Sequence, residues 1–150
     1  FNGDTATANA LDDYEEGTST ATFRASSVGT ITSGTSLMED KIAYTKIGQI
    51  VFFKARLKVT AVDNAQGEFE ILNLPFTSAN PSGDGAQVCT VYLENGTSDL
   101  ANDLVGLIAD NSTKIIIRES GTGGSGSNLA GQAQANTVLI VSGHYFTVAT

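Results

Sequence analysis

Four carboxylates crowd one short stretch of the chain, Asp12, Asp13, Glu15 and Glu16. Paired carboxylates serve glycoside hydrolysis and calcium binding. Adjacent positions do not set the separation either role needs, and no calcium-loop spacing of the D-x-[DN]-x-[DN]-G kind is present. The cluster therefore reads as solvated charge or as polar contacts at a subunit boundary. Gly121-Thr-Gly123-Gly-Ser-Gly126 matches G-x-G-x-x-G, but "SNLAGQAQANT" follows, with no amphipathic helix and no acidic residue for a ribose. It reads as a glycine-rich loop. His144 is the one histidine, so neither a triad nor a metal trio can be assembled around several of them. It is expected in a strand, interfacial or partly buried. Cys89 is the one cysteine. It shares parity with Val91 and Leu93 and reads as a small core hydrophobe. No catalytic residue, metal ligand or cofactor site emerges, and the chain reads as a non-enzyme.

Tyr92 differs in kind. It shares parity with Thr90 and Glu94, opposite Cys89, Val91 and Leu93, so it should point outward beside the Asn95-Gly96 turn. An exposed aromatic with Glu94, Asn95 and Asp99 nearby is what a sugar ring stacks on and hydrogen-bonds to. Single exposed tyrosines also occur on ordinary surfaces.

The elements that must position these residues are strands. No 3.6-residue apolar period runs through the chain, whereas period-2 alternation recurs. From Ile50 onward, Val51, Phe53, Ala55, Leu57 and Val59 fall on one parity, and Phe52, Lys54, Arg56 and Lys58 on the other. After "VDNAQG" comes Glu68-Phe-Glu-Ile71, alternating again. Paired as a hairpin, these segments would set Lys58 against Glu68, Arg56 against Glu70, Leu57 against Phe69 and Ala55 against Ile71. On that reading at least two members of the basic stripe are neutralised by cross-strand carboxylates. Further strands are expected at 87–94, 104–109, 114–119 and 137–148, with weaker ones at 20–25 and 29–33. A helical turn is expected within 129–135. Turns fall at Asn80 to Gly85, Asn95-Gly96, Asp110-Asn111 and Ser120 to Ser127. The class is all-β: an antiparallel β-sandwich, jelly-roll-like, built as a single domain over 1–150.

"IAYTKIGQIVFF" (Ile42 to Phe53) begins like a strand, breaks at Gly48 and resumes with four apolar residues in a row. The break suggests a bulge or bend. Ile50, Val51, Phe52 and Phe53 cannot all face one core. In the last strand Val138, Ile140 and Phe146 share one parity while Leu139, Val141 and Tyr145 share the other. Sandwich strands normally solvate their outer face. A neighbouring subunit is the simplest cover for the second face, with Phe52, His144 and Tyr145 at the interface. A long loop would also serve.

Composition sets outer bounds. With 150 residues the chain is long enough for one core. The net charge of −8 works against binding nucleic acid or an anionic membrane surface. It also argues against a purely electrostatic attraction to anionic surface polymers, leaving hydrogen bonds, aromatic stacking or a bridging cation. No apolar run approaches the roughly 18 residues of a membrane span, and a lone cysteine permits no internal disulfide.

Several segments together carry a resemblance: "ALDDYEEGT" (Ala10 to Thr18), "YTKIGQIVFF" (Tyr44 to Phe53), "LPFTS" (Leu74 to Ser78), "NSTKIII" followed by "SGTGG" (Asn111 to Gly124) and "VSGHYFT" (Val141 to Thr147). In this order they resemble the C-terminal domains of bacteriophage tail fibres and tailspikes. "LDDYEEGT" and "YTKIG" are the most specific. The resemblance implies a homotrimeric β-sandwich tip at the extracellular end of a virion fibre. Residues 1–19 would enter it from a stalk. Its implied partner is a bacterial surface polysaccharide or lipopolysaccharide, bound during host attachment. A purely structural trimerisation cap and a monomeric carbohydrate-binding module are the alternatives. Related sequences usually follow "EEGT" with an aromatic or a proline, where this chain has "STATF" (Ser19 to Phe23). The resemblance carries over no catalytic motif.

Overall fold

A computed structural model describes residues 14–35, 39–80, 86–96, 103–119 and 129–148. They form ten strands: β1 (Tyr14–Thr20), β2 (Thr22–Ala25), β3 (Val28–Ser33), β4 (Lys41–Ile47), β5 (Ile50–Gln66), β6 (Phe69–Leu72), β7 (Gln87–Glu94), β8 (Leu104–Ile108), β9 (Lys114–Glu119) and β10 (Val138–Phe146). One 3-10 turn, Leu129–Gln132, lies where a helical turn is expected. Every pairing is antiparallel. The expected all-β antiparallel class is what the chain adopts.

The strands run β1-β4-β5-β10-β7-β8-β9-β6-β2, with β3 paired to β5. The two ends of that order, β1 and β2, are separated in the chain by Ala21 alone. A sheet whose outermost strands are one residue apart has to curl back on itself, and the result is a nearly closed, barrel-like sheet. β5 belongs to both halves of the curl. Its first half lies between β4 and β10, and its second half pairs with β3. Seventeen residues would span roughly 55 Å if flat. Register shifts against β3 bend it: Ala61 pairs with Thr32 and Val59 with Ser33, which leaves Thr60 as an extra residue. Its hydroxyl donates to the carbonyls of Thr32 and Ser33. A second irregularity falls at Asn64, where φ is 45°. Each extra residue flips the side-chain alternation. Val59 faces the core, then Val62 packs against it on the other parity, then Ala65 returns to the first.

Gly48 marks a full reversal of the chain, where a bulge or bend is expected from the sequence. β4 ends at Ile47, β5 starts at Ile50 and the two residues pair. A two-residue hairpin loop with glycine first and φ of 58° is the arrangement a type II′ turn requires. The four apolar residues after it therefore open a fresh strand whose odd members face the core.

The β5–β6 hairpin does not form. β6 lies between β2 and β9 instead. β5 does not stop at Val59, and the chain is redirected only at Gly67, where φ is 90°. The charges find other partners: Arg56 with Glu94 at 3.5 Å, Lys58 with Glu39 at 3.4 Å, and Glu68 with Arg118. Glu70 takes Arg24 at 2.5 Å and Lys114 at 2.6 Å. Two of the three stripe cations have a carboxylate partner, as expected, but Glu94 comes from β7 and Glu39 from the turn before β4 rather than from β6.

Inside, Ile42, Val51, Leu57, Phe69, Ile71, Ile115, Leu139 and Tyr145 are wholly enclosed. Phe23 meets Phe69 edge-on with ring centres 5.1 Å apart, which joins β2 to β6.

Candidate functional site

β1, β4, β5, β10 and β7 are consecutive in the sheet, and their registers fix what lies side by side on their outer face. Thr18 of β1 pairs with Ala43, Ala43 with Lys54, Lys54 with Ser142, and Ser142 with Thr90. This row crosses five strands, and all its side chains are short except that of Lys54. On one side lies the row Thr45, Phe52 and His144; on the other lie Arg56, Ile140 and Tyr92. Rows on one face of a sheet are about 7 Å apart. Short side chains between taller rows leave a trough. Two depressions of about 410 Å³ each occupy it, and both are lined by Ala43 and Lys54. One extends to Phe52 and Ser142, the other to Thr18, Lys41, Arg56 and Ile140. Each lies within the size range of small-ligand sites.

The outer face of these strands is also where exposed apolar groups gather. Of the nine large hydrophobic side chains exposed among the described residues, Tyr14, Ile47, Phe52, Val88, Tyr92, Ile140 and Phe146 belong to it. The registers set Tyr14 beside Ile47, Ile47 beside Ile50 and Ile50 beside Phe146, an apolar row at the Gly48 end of the sheet. On the barrel's other strands only Val28 is comparably exposed among the described residues.

The sequence-derived sugar set divides. Tyr92 points outward and is 63% exposed, directly beside Ile140 at the trough's rim. Glu94 is on the same face and faces Arg56. Asn95 has a structural occupation. It turns the chain with φ of 56°, and its carbonyl accepts from the Gln134 side-chain amide at 2.8 Å and the Thr137 hydroxyl at 3.1 Å. Asp99 lies outside the described residues.

The interface set divides too. Phe52 and His144 are exposed neighbours on the outer face, with ring centres 5.9 Å apart. Tyr145 points the opposite way. It is 0% exposed, and its hydroxyl accepts from the Phe76 N–H at 3.1 Å and donates to the Phe76 carbonyl at 3.0 Å. Burial pushes that hydroxyl's pKa up to about 12, against the smaller opposing effect of the Phe76 backbone bond. A side chain enclosed by its own chain has no surface for a partner, so Tyr145 leaves the interface set.

The acidic cluster is resolved by β1. Glu15 lies beside Lys46 and Glu16 beside Thr45, so the two carboxylates leave opposite faces of one strand. Glu15 accepts from the Tyr44 hydroxyl at 2.7 Å and Glu16 from the Tyr14 hydroxyl at 2.6 Å. They cannot act on one bond. Asp12, Asp13 and the Gly121–Gly126 loop lie outside the described residues.

Cys89 is buried between two glycines. A Cβ built on Gly143 would meet that of Cys89 at 2.7 Å, and one on Gly106 would run into its sulfur. Burial pushes the thiol up to about 12, only slightly countered by its backbone contact at Gly106. A thiol this far from ionisation is a poor nucleophile. The expected result with a thiol-specific disulfide reagent at pH 8 is no labelling of the folded chain and one equivalent after unfolding in guanidinium. Rapid labelling without denaturant would place Cys89 at the surface.

Sequence reasoning missed the trough itself. Lys54 was visible within the stripe Lys54, Arg56 and Lys58, but its lack of a carboxylate partner among the described residues was not. Lys41 comes from another strand, and no spacing announced it.

No protein-family model matches this chain, and no curated protein matches it. Among solved structures, the crystal structure of Dettilon tailspike protein is similar, with a TM-score of 0.73 over 89% of this chain and 14% sequence identity. This chain spans 24% of that one. At that identity the likeness is one of fold: the all-β architecture is shared with part of a phage tailspike.

Proposed function

We propose that this chain is a domain of a phage tail fibre or tailspike, carried on the virion. Its role on this reading is to bind a surface glycan of a bacterial host during attachment. The observation that carries the proposal is the trough on the outer face: two sugar-sized depressions in a row, rimmed by the exposed ring of Tyr92, in a fold shared with part of a tailspike. A trough crossing strands suits an extended polymer better than an enclosed pocket does. We read it as binding without cleavage, because among the described residues no carboxylate lines either depression to serve as a general acid.

Replacing Tyr92 with alanine is expected to weaken binding to host cells about threefold to tenfold per site, the scale of one aromatic contact, with no change in melting temperature. Unchanged cell binding would remove Tyr92 from the site. Several sites on one particle would multiply the loss through effective concentration.

The apolar row Tyr14, Ile47, Ile50 and Phe146 favours a companion reading, in which this end of the face meets symmetry-related copies in a homotrimer. Obligate interfaces are apolar in this way. The molar mass in solution tests it: about three times 15.5 kDa supports the trimer, and a single 15.5 kDa species removes it at the concentration measured.

A further inference from the structure

The trough's lining is chemically one-sided. The chain has 16 acidic and 8 basic residues. Three of the basic ones, Lys41, Lys54 and Arg56, line the trough, and among the described residues no acidic one does. We infer that the trough takes an anionic saccharide, one bearing carboxylate, phosphate or sulfate groups, with Lys54 as its central anion contact. This rests on the glycan reading above and names the class of sugar.

The donor inventory separates this class from neutral sugars. Vicinal hydroxyls both donate and accept, and they are recognised by groups that accept as well as donate. Ammonium and guanidinium groups only donate. Beside them the described walls are apolar, Ala43, Phe52, Phe53, Ala55 and Ile140, and the side chains able to accept are the hydroxyls of Thr18, Thr45 and Ser142, that of Tyr44 being committed to Glu15. Among the described residues no side-chain amide or carboxylate lines either depression. The groups that satisfy such a lining are those that only accept.

The three cations are not equally committed. Lys41 donates to the Thr20 hydroxyl at 2.6 Å and lies 3.3 Å from the Asp40 carboxylate. Arg56 has Glu94 at 3.5 Å, a loose pair at the water's edge. Lys54 has no carboxylate within ion-pair distance among the described residues, and it lies at the middle of the trough, where the two depressions meet. Its charge is the one left for a ligand.

The overall charge of −8 does not cancel this. In physiological salt the Debye length is about 8 Å, so carboxylates elsewhere on the barrel are largely screened from an anion seated on Lys54. Among the described residues, Glu16 and Glu94 lie on the same face and are engaged by Tyr14 and Arg56, while Glu39 and Asp40 are paired with Lys58 and Lys41. The net charge argues only against a purely electrostatic attraction to anionic polymers; on this inference the contact is local to Lys54 and sits beside hydrogen bonds from the trough's hydroxyls.

The test uses the whole chain on an array of bacterial surface oligosaccharides printed in matched pairs, uronate-bearing and methyl-esterified. Lys54→Met, Lys54→Arg and Lys54→Glu variants are probed beside the parent. The expected result is binding to the acid member of each recognised pair and weak binding to its ester. Lys54→Met should lower affinity on the order of tenfold, as for loss of one charge-assisted hydrogen bond. Lys54→Arg should retain most binding, Lys54→Glu should abolish it, and raising salt should weaken the parent more steeply than Lys54→Met, which keeps Lys41 and Arg56. Lys54 is exposed, so unchanged melting temperatures are expected and would exclude misfolding as the cause. Equal binding to acid and ester, untouched by Lys54→Met, would overturn this inference while leaving the glycan reading intact. Binding to no sugar at all would overturn both. A trimer in which Lys54→Glu lowers the molar mass would mean that a second copy occupies the trough, and would likewise overturn it.

Discussion

A variant carrying both Arg24→Met and Lys114→Met is expected to lose about 3–5 kcal/mol of folding stability near neutral pH, the cost of stranding a buried charge. Glu70→Gln is expected to lose only about 1–2 kcal/mol. The asymmetry follows from which partner is enclosed. Glu70 is 1% exposed, while the Arg24 and Lys114 side chains are 51% and 31% exposed. Remove the carboxylate charge and both cations still reach water. Remove the cations and an anion is left with neither solvent nor partner.

The pH dependence separates the two cases further. Burial pushes the Glu70 carboxyl up, but the hydrogen bonds from Arg24 and Lys114 and their charges together outweigh it, so its pKa lies below 4.5. A carboxyl depressed on folding stabilises the native state above its unfolded pKa, near 4.5, and that contribution is lost as pH falls through the lower folded value. The parent should therefore weaken in acid below about pH 4.5. In the double variant only burial remains, the folded pKa moves above 4.5, and the sign reverses: acid protonates the stranded carboxyl and restores part of the loss. Guanidinium denaturation at pH 7 and pH 4 measures both effects. A double variant no less stable than Glu70→Gln at pH 7, or one that loses further stability in acid, would refute the account.

The second large effect separates two aromatics that the sequence alone placed together. Tyr145→Ala is expected to cost about 4 kcal/mol or more, from the cavity left by a large ring plus the unpaired backbone groups of Phe76. Tyr145→Phe, which keeps the ring and removes only the hydroxyl, should cost about 1–3 kcal/mol. The hydroxyl ties β10 to the segment after β6, and the ring stands edge-on to Phe53 with centres 5.9 Å apart. Phe52→Ser, at an exposed position on the next strand, should stay within about 0.5 kcal/mol of the parent as a folded monomer. Its effect belongs instead to assembly, read as a change in molar mass by light scattering. Equal destabilisation by Tyr145→Ala and Phe52→Ser in the monomer would contradict the opposite facing of the two rings.

The pairing of Phe52 with Tyr145 shows where local reasoning stops. Alternation says that neighbours in a strand face opposite ways, but not which parity of one strand shares a face with which parity of another. That is set by register, and the β5–β10 register puts Tyr145 beside Val51 and His144 beside Phe52. The hairpin expected between β5 and β6 fails for the same reason. Its charges were complementary, yet two bulges carry β5 past its supposed end, and each carboxylate meets cations from strands distant in sequence. β1 was not recognised as a strand at all. Its side chains are almost all exposed, so it shows no apolar alternation, and the ladder to β4 is what orders it.

Other elements were legible because the chain carries their cause locally. β7 lies where alternation puts it and β9 where a short β-branched run does, and Tyr92 faces outward opposite Cys89. The turns at Asn95 and Asn111 are where asparagine adopts positive φ, and the five non-glycine residues that do so among the described ones are all asparagines. By itself, then, the sequence determined the all-β class, most strand positions and the turns at Asn95 and Asn111, since propensity, parity and turn chemistry act over a few residues. The expected turns at Asn80 to Gly85 and Ser120 to Ser127 lie almost wholly outside the described residues. Only the tertiary structure decided the curl of the sheet, the partners of Glu70 and the trough around Lys54. Each depends on which strands lie side by side, and that is chosen by the burial of the whole core rather than by any one segment.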